Sequence, residues 1–461
     1  MNKVWAVARH TIAAGVRMKV AVFFILSIGL GVLGLPFMLK GDGSLAGAIQ
    51  SYLTYALLLT NALLSLQTIF MSWTLSEELV QHQILILMAK PLARWQYIFG
   101  KWLGIVLLDL ALLAGAGLGV YGMARYMASL SERIEGDHFK IASEVLVGRH
   151  ASAVEVPDFS TQAAREFERR KEEGYYVDRP DLDPAKEKAK LRQDLETAWR
   201  TVLPYEDREF KFRNLGLCQR APDQVLHLRF NSTVYNPPPN DVVTCIWGFG
   251  DRDTGAVEYP PVVRRYVRDR IHTIPAPTDA VSPDGTLTVR FANVDPFADN
   301  PRGLPVFQFE AHKTLEVLFV VGSFGGNLVR TLALMFSRLL LLAGVAVLTT
   351  SVFSFPIACI VTLAFYGFVA LRDFILDAFE FMNDPGLLGN LFKGIGWVVR
   401  GLYVFVPDWG KYNAVELLVD GRNVTLLWVL DGYSKLGLAT LVLVGLACLL
   451  FERREVSEVS I

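Results

Sequence analysis

Long uncharged stretches are the feature that most constrains the fold of this chain. Residues 20–39 are twenty consecutive uncharged residues, and residues 45–73 are uncharged as well. About 20 apolar residues in a helix span the ~30 Å hydrocarbon core of a bilayer. Because a segment in lipid must satisfy its backbone hydrogen bonds internally, these stretches predict transmembrane α-helices.

The other apolar stretches bring the predicted number of spans to six. They are expected at residues 102–124, 328–349, 353–371 and 432–451. The fourth span must take in Arg338, because the uncharged run over residues 339–371 is too short for two crossings. A seventh crossing over residues 315–328 is disfavoured by Glu316 and by the glycines and asparagine at its end.

The first nineteen residues are basic and mildly amphipathic. This pattern favours a helix that lies in the membrane interface. The competing interpretation is the basic n-region of a signal peptide. A second long apolar run follows and no convincing cleavage site does, so the interfacial helix is preferred.

The distribution of basic residues predicts the orientation in the membrane. Six spans place both termini on one side, and Lys and Arg are found at the N-terminus, within residues 90–101 and at residues 453–454. Short basic loops face the cytoplasm. We therefore expect a multi-pass protein of the plasma (inner) membrane with cytoplasmic termini, and residues 126–327 and 372–431 outside.

Composition supports a membrane domain joined to a polar one. The chain is 52% hydrophobic and carries a formal net charge of -1, yet residues 126–316 hold a dense charged block. The near-zero net charge thus averages two unlike parts. We find no basic, aromatic patch of the kind that binds nucleic acid, so the lipid membrane is an expected partner and nucleic acid is not.

The polar block predicts an inserted extracytoplasmic α+β domain. Residues 160–203 have helical spacing interrupted by Pro180 and Pro184, which indicates two helices with Pro184 in a first turn. Residues 210–310 alternate with period two, and turn signals separate the alternating runs. A small β-sandwich-like arrangement is the expected fold. Residues 372–431 are expected to lie on, or dip into, the outer leaflet.

A polar and apolar stretch over residues 75–101 lies between the second and third spans. Its apolar run over residues 84–88 is followed by Pro91, which removes a backbone donor and should end a helix there. Ile84, Leu87 and Met88 share a face at helical spacing. An apolar face on the cytoplasmic side indicates docking in a partner's groove, or contact with the lipid interface.

This stretch resembles the cytoplasmic coupling segment of ABC-2 type transporter permeases, including NosY-like ones. The residues that match the family pattern are Glu78, Leu85, Leu87, Pro91, Arg94, Gly100 and Lys101. The sequence departs from that pattern at His82-Gln83, where the family usually has Gly-Thr. The likeness extends over residues 1–125 and 325–456 and does not include the middle of the chain.

The resemblance implies the membrane subunit of an exporter. A separate ABC ATPase subunit would dock beneath it, and a second copy or a related permease would complete a homodimer or heterodimer. Residues 1–19 would be the elbow helix. The residues implied in coupling to the ATPase are Glu78, Ile84, Leu87, Met88, Pro91, Arg94 and Lys101.

Nucleotide chemistry is not expected in this chain. No G-x-x-x-x-G-K-[ST] run occurs, so phosphates cannot be cradled by a P-loop and ATP would be bound by the partner. We expect no cofactor, no metal site and no enzymatic activity. The rival hypotheses are an extracytoplasmic enzyme that uses His227, His272 or His312, and an assembly or sensor protein without transport. No nucleophile–base or metal-ligand spacing supports the enzyme.

Asp109 and Arg338 are the charges placed most clearly inside spans. A charge within the bilayer costs several kcal/mol unless it is paired or hydrated. The two side chains are expected either to form a pair in a gate or substrate path, or to be structural or snorkelling charges.

Cys218 and Cys245 lie in the polar block, outside the membrane in the expected orientation. An oxidising compartment permits a disulfide between them. Two free thiols in separate strands is the other interpretation.

Overall fold

The computed structural model divides into two compact units, one of residues 1–148 and 322–461 and one of residues 149–321. The residues that the structure describes are 2–17, 19–38, 44–80, 92–130, 140–177, 183–216, 225–296, 304–310, 315–381, 394–401, 403 and 408–453.

Helices build the first unit and flank the strands of the second. In chain order they are α1 (Asn2–Arg17), α2 (Lys19–Met38), α3 (Leu45–Met71), α4 (Trp73–Val80), α5 (Arg94–Ser129), α6 (Phe159–Glu172), α7 (Pro184–Arg200), α8 (Phe324–Val352), α9 (Phe355–Ala370), α10 (Arg372–Phe381), α11 (Val415–Val419) and α12 (Leu426–Arg453).

Four stretches of the described residues are long and apolar enough to cross a membrane. They are α3 with α4, α5, α8 and α12. Two bent helix pairs, α1 with α2 and α9 with α10, raise the number to six if each pair is one span. These helices indicate a membrane protein. The lower number leaves out α2 and α9, which correspond to the first and fifth predicted spans.

The long helices extend beyond the apolar stretches that predict them. α5 begins at Arg94 and ends at Ser129, whereas the sequence predicts its apolar part over residues 102–124. α8 begins one residue after Ser323, whose hydroxyl accepts a hydrogen bond from the Gly326 amide at 3.3 Å. A side-chain cap of this kind starts a helix irrespective of hydropathy.

α8 is the central helix of the first unit. It packs against α3, α5, α9 and α12, and its buried residues extend along its whole length. A helix buried on most of its sides lies in the interior of its unit. Residues 409–418 also join this core, since Trp409, Tyr412 and Leu418 are buried. These residues pack against helices, and the expectation that residues 372–431 lie on, or dip into, the outer leaflet stays a prediction.

The strands of the second unit form three sheets. The strands are β1 (Val147–Ala153), β2 (Thr201–Val202), β3 (Asp207–Phe212), β4 (Leu226–Phe230), β5 (Ser232–Tyr235), β6 (Val242–Phe249), β7 (Tyr259–Val267), β8 (His272–Ala276), β9 (Leu287–Ala292), β10 (Val306–Phe309) and β11 (Glu316–Ser323). The orders are β1-β11-β4-β8, β2-β10-β5 and β3-β9-β6-β7.

An aromatic core fills the space between these strands. Trp247 lies 4.7 Å from Phe230 and 4.9 Å from Phe291 between ring centroids, and Phe309 lies 4.9 Å from Phe291. Such contacts add to the burial of apolar area. The predicted alternation in β4 correctly places Leu226, Leu228 and Phe230 inside; all three are fully buried.

The two predicted helices of this unit are α6 and α7. Asp183 caps α7 by accepting a hydrogen bond from the Ala185 amide, and Pro184 lies in the first turn, as the sequence predicts. Phe167 of α6 and Leu191 of α7 share a small buried cluster.

Candidate functional site

A buried ion pair joins the ends of α4 and α5. Oε1 of Glu78 lies 2.6 Å from Nζ of Lys101. Glu78 is 5% exposed and Lys101 is 1% exposed. Burying two charges is costly unless they pair closely and satisfy their remaining hydrogen-bonding capacity.

Neighbouring groups supply that remaining hydrogen bonding. Oη of Tyr97 donates to Oε2 of Glu78 at 2.6 Å, and Nζ of Lys101 donates to the carbonyl oxygen of Thr74 at 3.2 Å. Both carboxylate oxygens of Glu78 are thus engaged. We name this group the Glu78 cluster; its members are Thr74, Glu78, Tyr97 and Lys101.

Helical geometry explains how these residues meet. Tyr97 and Lys101 are four residues apart on α5, and Thr74 and Glu78 are four apart on α4, so each pair shares one face of its helix. The cluster is the place where those two faces meet.

Close packing brings α1 to the same place. A Cβ atom on Gly104 of α5 would lie 2.6 Å from Cβ of Thr11, and one on Gly100 would lie 2.7 Å from Cβ of Val7. Only glycine permits so close an approach. Nδ1 of His10 then lies 3.5 Å from Oε1 of Glu78, although His10 is itself largely exposed.

Arg94 ties the start of α5 to the end of α12. Its Nη1 donates to the carbonyl oxygen of Glu452 at 2.7 Å. A guanidinium at a helix C-terminus satisfies the terminal carbonyl groups and interacts favourably with the helix dipole. The ring of Tyr97 also stacks on that of Phe451, with centroids 5.8 Å apart. The ends of α4, α5 and α12 and the middle of α1 therefore meet around the Glu78 cluster.

The segment that the sequence predicts to bind a partner connects α4 to α5. Ile84, Leu87, Met88 and Pro91 lie outside the described residues, so their shared apolar face stays a prediction. Glu78 and Arg94 flank that segment, and both are tied to neighbouring helices.

The structure corrects the interpretation of Lys101. The sequence suggests a cation that flanks a span and marks the cytoplasmic side, whereas Lys101 is buried and neutralised by Glu78. Sequence reasoning also missed Tyr97, Thr74 and His10. The i, i+4 spacing of Tyr97 and Lys101 is the one signal that could have linked the tyrosine to the site.

The structure does not bring Asp109 and Arg338 together. Oδ2 of Asp109 lies 2.8 Å from the hydroxyl oxygen of Thr68, and its second oxygen lies 3.5 Å from Nε2 of Gln67. The Arg338 guanidinium lies over the ring of Trp409, 5.3 Å from the centroid. Of the two interpretations, the pair is therefore not made, because each side chain faces a different neighbour within the helical unit.

The sulfur of Cys245 is buried in the aromatic core of the second unit, where it contacts the hydroxyl of Tyr266. Burial raises the pKa of this thiol to about 12. Cys218 lies outside the described residues, so the disulfide stays a prediction.

His227 is the most strongly perturbed histidine among the described residues of the second unit. It is buried on β4, and burial, with the nearby charge of Arg149 as a second cause, lowers its pKa to about 4. The alternation in β4 suggested an outward position for this residue. Within the described ranges, no three His, Cys, Asp or Glu side chains form a group able to hold a metal ion. His312 lies outside those ranges.

No protein-family model, curated protein or solved structure matches this chain.

Proposed function

We propose that this chain is the membrane-spanning permease subunit of an ABC-2-like exporter. It would cross the plasma (inner) membrane six times with both termini in the cytoplasm, and residues 149–321 would lie outside. Two copies, or one copy with a related permease, would form the translocation path. The observation that best supports the proposal is the Glu78 cluster at the base of the segment that resembles a coupling helix.

A coupling element must pass movement from a docked ATPase to the spans. Residues 81–91 connect α4 to α5, and the buried pair of Glu78 and Lys101 holds those two helices together at 2.6 Å. Separating the two helices would leave each charge without its partner, which is costly while the charges stay buried. A displacement of the segment would therefore move α4 and α5 as one body.

The contacts around the Glu78 cluster would pass that movement to further helices. Arg94 links α5 to the end of α12, and Gly100 and Gly104 seat α1 on α5. α5 in turn packs on α3 and α8. A push at one short segment would thus reach most of the helical unit.

The partner would bind the apolar face of Ile84, Leu87 and Met88 in a groove of its own. Nucleotide would be bound by that partner, and this chain would carry no cofactor.

The experiment is to co-express the chain with a P-loop ATPase encoded by a neighbouring reading frame and to purify the pair from membranes. Leu87→Asp places a charge on the apolar face and should release the ATPase. This chain should then no longer stimulate ATP hydrolysis by the ATPase. His82→Asp, off that face at 100° per residue, should retain both. Normal insertion with full retention of the ATPase by Leu87→Asp would overturn the docking surface.

The same preparation addresses the alternative of an extracytoplasmic enzyme, assembly protein or sensor without transport. Such a protein has no use for an ATPase beneath its spans. If the wild-type chain inserts and co-purifies with no ATPase, while residues 149–321 show a binding or hydrolytic activity, the permease proposal fails.

A further inference from the structure

Asp109 is a carboxyl group buried within the helical unit and remote from the Glu78 cluster. It lies on α5 and is fully buried. The polar side chains that contact it in the described part of the chain are Thr68 and Gln67 of α3, both uncharged.

The hydroxyl of Thr68 makes two short contacts with only one proton to donate. Its oxygen lies 2.8 Å from Oδ2 of Asp109 and 2.8 Å from the carbonyl oxygen of Leu64. Both distances are typical of a full O–H···O hydrogen bond. The carbonyl oxygen can only accept, so an ionised carboxylate would leave one contact between two acceptors without a proton.

A protonated carboxyl group supplies the missing proton. Oδ2 of Asp109 then donates to Oγ1 of Thr68, and the Thr68 hydroxyl donates to Leu64. The donation from Thr68 to the carbonyl four residues earlier follows the pattern of Thr60 and Ser65 on the same helix. Every short contact then has one donor and one acceptor.

Gln67 shows the same shortage of donors. Its Nε2 reaches Oδ1 of Asp109 only at 3.5 Å, and its Oε1 is buried without a hydrogen-bond partner among the described residues. Two neighbouring buried groups thus have more acceptors than donors, and a negative charge on Asp109 would increase that excess.

No ion pair within the described ranges compensates a charge on Asp109. On α5 itself, Lys101 is taken by Glu78, and on α8 Arg338 lies over Trp409. α1, α2, α3, α8 and α12 pack against α5. The remaining charged or histidine side chains on these helices, none paired with Asp109, are Lys3, Arg9, His10, Arg17, Lys19, Arg94, Arg125, Arg330, Asp431, Lys435, Glu452 and Arg453.

We propose that Asp109 is a proton-binding site in the helical unit, protonated on Oδ2 when α3 and α5 are packed as seen here. Deprotonation breaks the O–H bond, passes the proton to water and leaves a carboxylate. Water reaches the group only if α3 and α5 separate at Thr68. Proton binding and the packing of these two helices are therefore thermodynamically linked. The proposal for Asp109 does not rest on ATPase docking.

The difference between the infrared spectra of the wild type and of Asp109→Asn, both full-length and in lipid, tests this proposal. Solvent-exposed carboxyl groups are ionised at pH 8, so a carbonyl stretching band of a protonated acid reports a buried one. We expect such a band in the wild type and its loss in Asp109→Asn, a neutral substitution of similar shape. A wild-type spectrum without the band, or an unchanged band in Asp109→Asn, overturns the proposal.

Thr68→Val separates the proposed hydrogen bond from burial alone. The valine keeps a similar size but cannot accept a hydrogen bond. The carboxyl band should persist and shift to the higher frequency of a weaker hydrogen bond, whereas Thr68→Ser should keep the wild-type frequency. A band unmoved by Thr68→Val would mean that the Asp109 proton is not donated to Thr68. If Thr68→Val does not fold, the comparison of Thr68→Ser and Asp109→Asn with the wild type still decides whether Asp109 carries the band.

Discussion

Glu78 and Lys101 form a buried ion pair, with Oε1 2.6 Å from Nζ, between α4 and α5. The pair is completed by the Tyr97 hydroxyl and the Thr74 carbonyl oxygen. Because its charges cancel and its polar atoms are engaged, the pair is stable as a unit. Neither partner is stable there alone.

The first prediction concerns that mutual dependence. Glu78→Gln or Lys101→Met should each lower the free energy of unfolding in detergent by about 3–5 kcal/mol, since each leaves a buried charge unpaired. The double substitution Glu78→Gln with Lys101→Met should recover part of the loss. Lys188→Met, which removes an exposed partner of Glu168, should cost about 1 kcal/mol or less. Strictly additive losses would show that the two residues do not interact.

Tyr97 gives a second prediction. Tyr97→Phe keeps the ring stacked on Phe451 but removes the donor to Oε2 of Glu78. A hydrogen bond to a charged group contributes about 1.5–3 kcal/mol, so the free energy of unfolding should fall by that amount. Tyr55→Phe, at a half-exposed site on α3, serves as the control and should change it little. Equal effects of the two substitutions would show that the Tyr97 hydroxyl does not stabilise Glu78.

The sequence predicts the long helices well but does not predict the Glu78 cluster. Apolar length alone locates α3, α5, α8 and α12, because lipid imposes one simple requirement on a span. The Glu78 cluster depends on which faces of α1, α4 and α5 meet, and hydropathy carries no information on that. Lys101 therefore looked like a flanking cation, although the structure buries it.

Asp109 and Arg338 show the same limit. Each is recognisable in the sequence as a charge within an apolar run, and depth along the helix axis permits a pair. Rotation about the axis decides the outcome, and it directs Asp109 to Thr68 and Arg338 to Trp409. Within β4, the alternation predicts the buried face correctly but not that His227 on the other face is also covered.

The third prediction tests the close packing of α1 against α5. Gly104→Ala places a methyl group 2.6 Å from Cβ of Thr11 and 2.8 Å from the Ala8 carbonyl oxygen, so it should destabilise the protein by about 1–3 kcal/mol. Gly115→Ala, on the same helix, meets no atom within 4 Å and should be neutral or stabilising by up to about 1 kcal/mol. Thermal unfolding of the two variants side by side provides the measurement. A tolerated Gly104→Ala would contradict the close approach.

The fourth prediction concerns pH. The pKa of His227 is lowered from 6.5 to about 4 in the folded state, first by burial and then by Arg149. Between these values the unfolded chain binds more protons than the folded one, so stability rises with pH. The contribution of His227 is complete above about pH 6.5 and is lost as pH falls toward 4, amounting to about 2 kcal/mol at pH 5.

Hydrogen exchange of the β4 amides between pH 7 and pH 5 measures this loss. After correction for the intrinsic exchange rate, protection should fall with pH in the wild type and in His150→Gln, whose histidine is exposed. It should fall by less in His227→Gln, whatever that variant's absolute stability. The same pH slope in all three proteins would show that His227 is not the titrating group.

The fifth prediction follows from the proposed orientation. The chain is first freed of its four cysteines, and single cysteines are then placed at Lys186 on α7 and at Arg9 on α1, both exposed within their own units. If residues 149–321 lie outside, an impermeant thiol reagent added to intact cells should label Lys186→Cys and leave Arg9→Cys unlabelled. Permeabilised cells should label both, which controls for reactivity. Basic residues of α1 would then face the cytoplasm, as short basic segments do. Labelling of Arg9→Cys in intact cells would reverse the orientation and place residues 81–91 away from the side where ATP is available, and the ATPase-coupled permease proposal would fail with it.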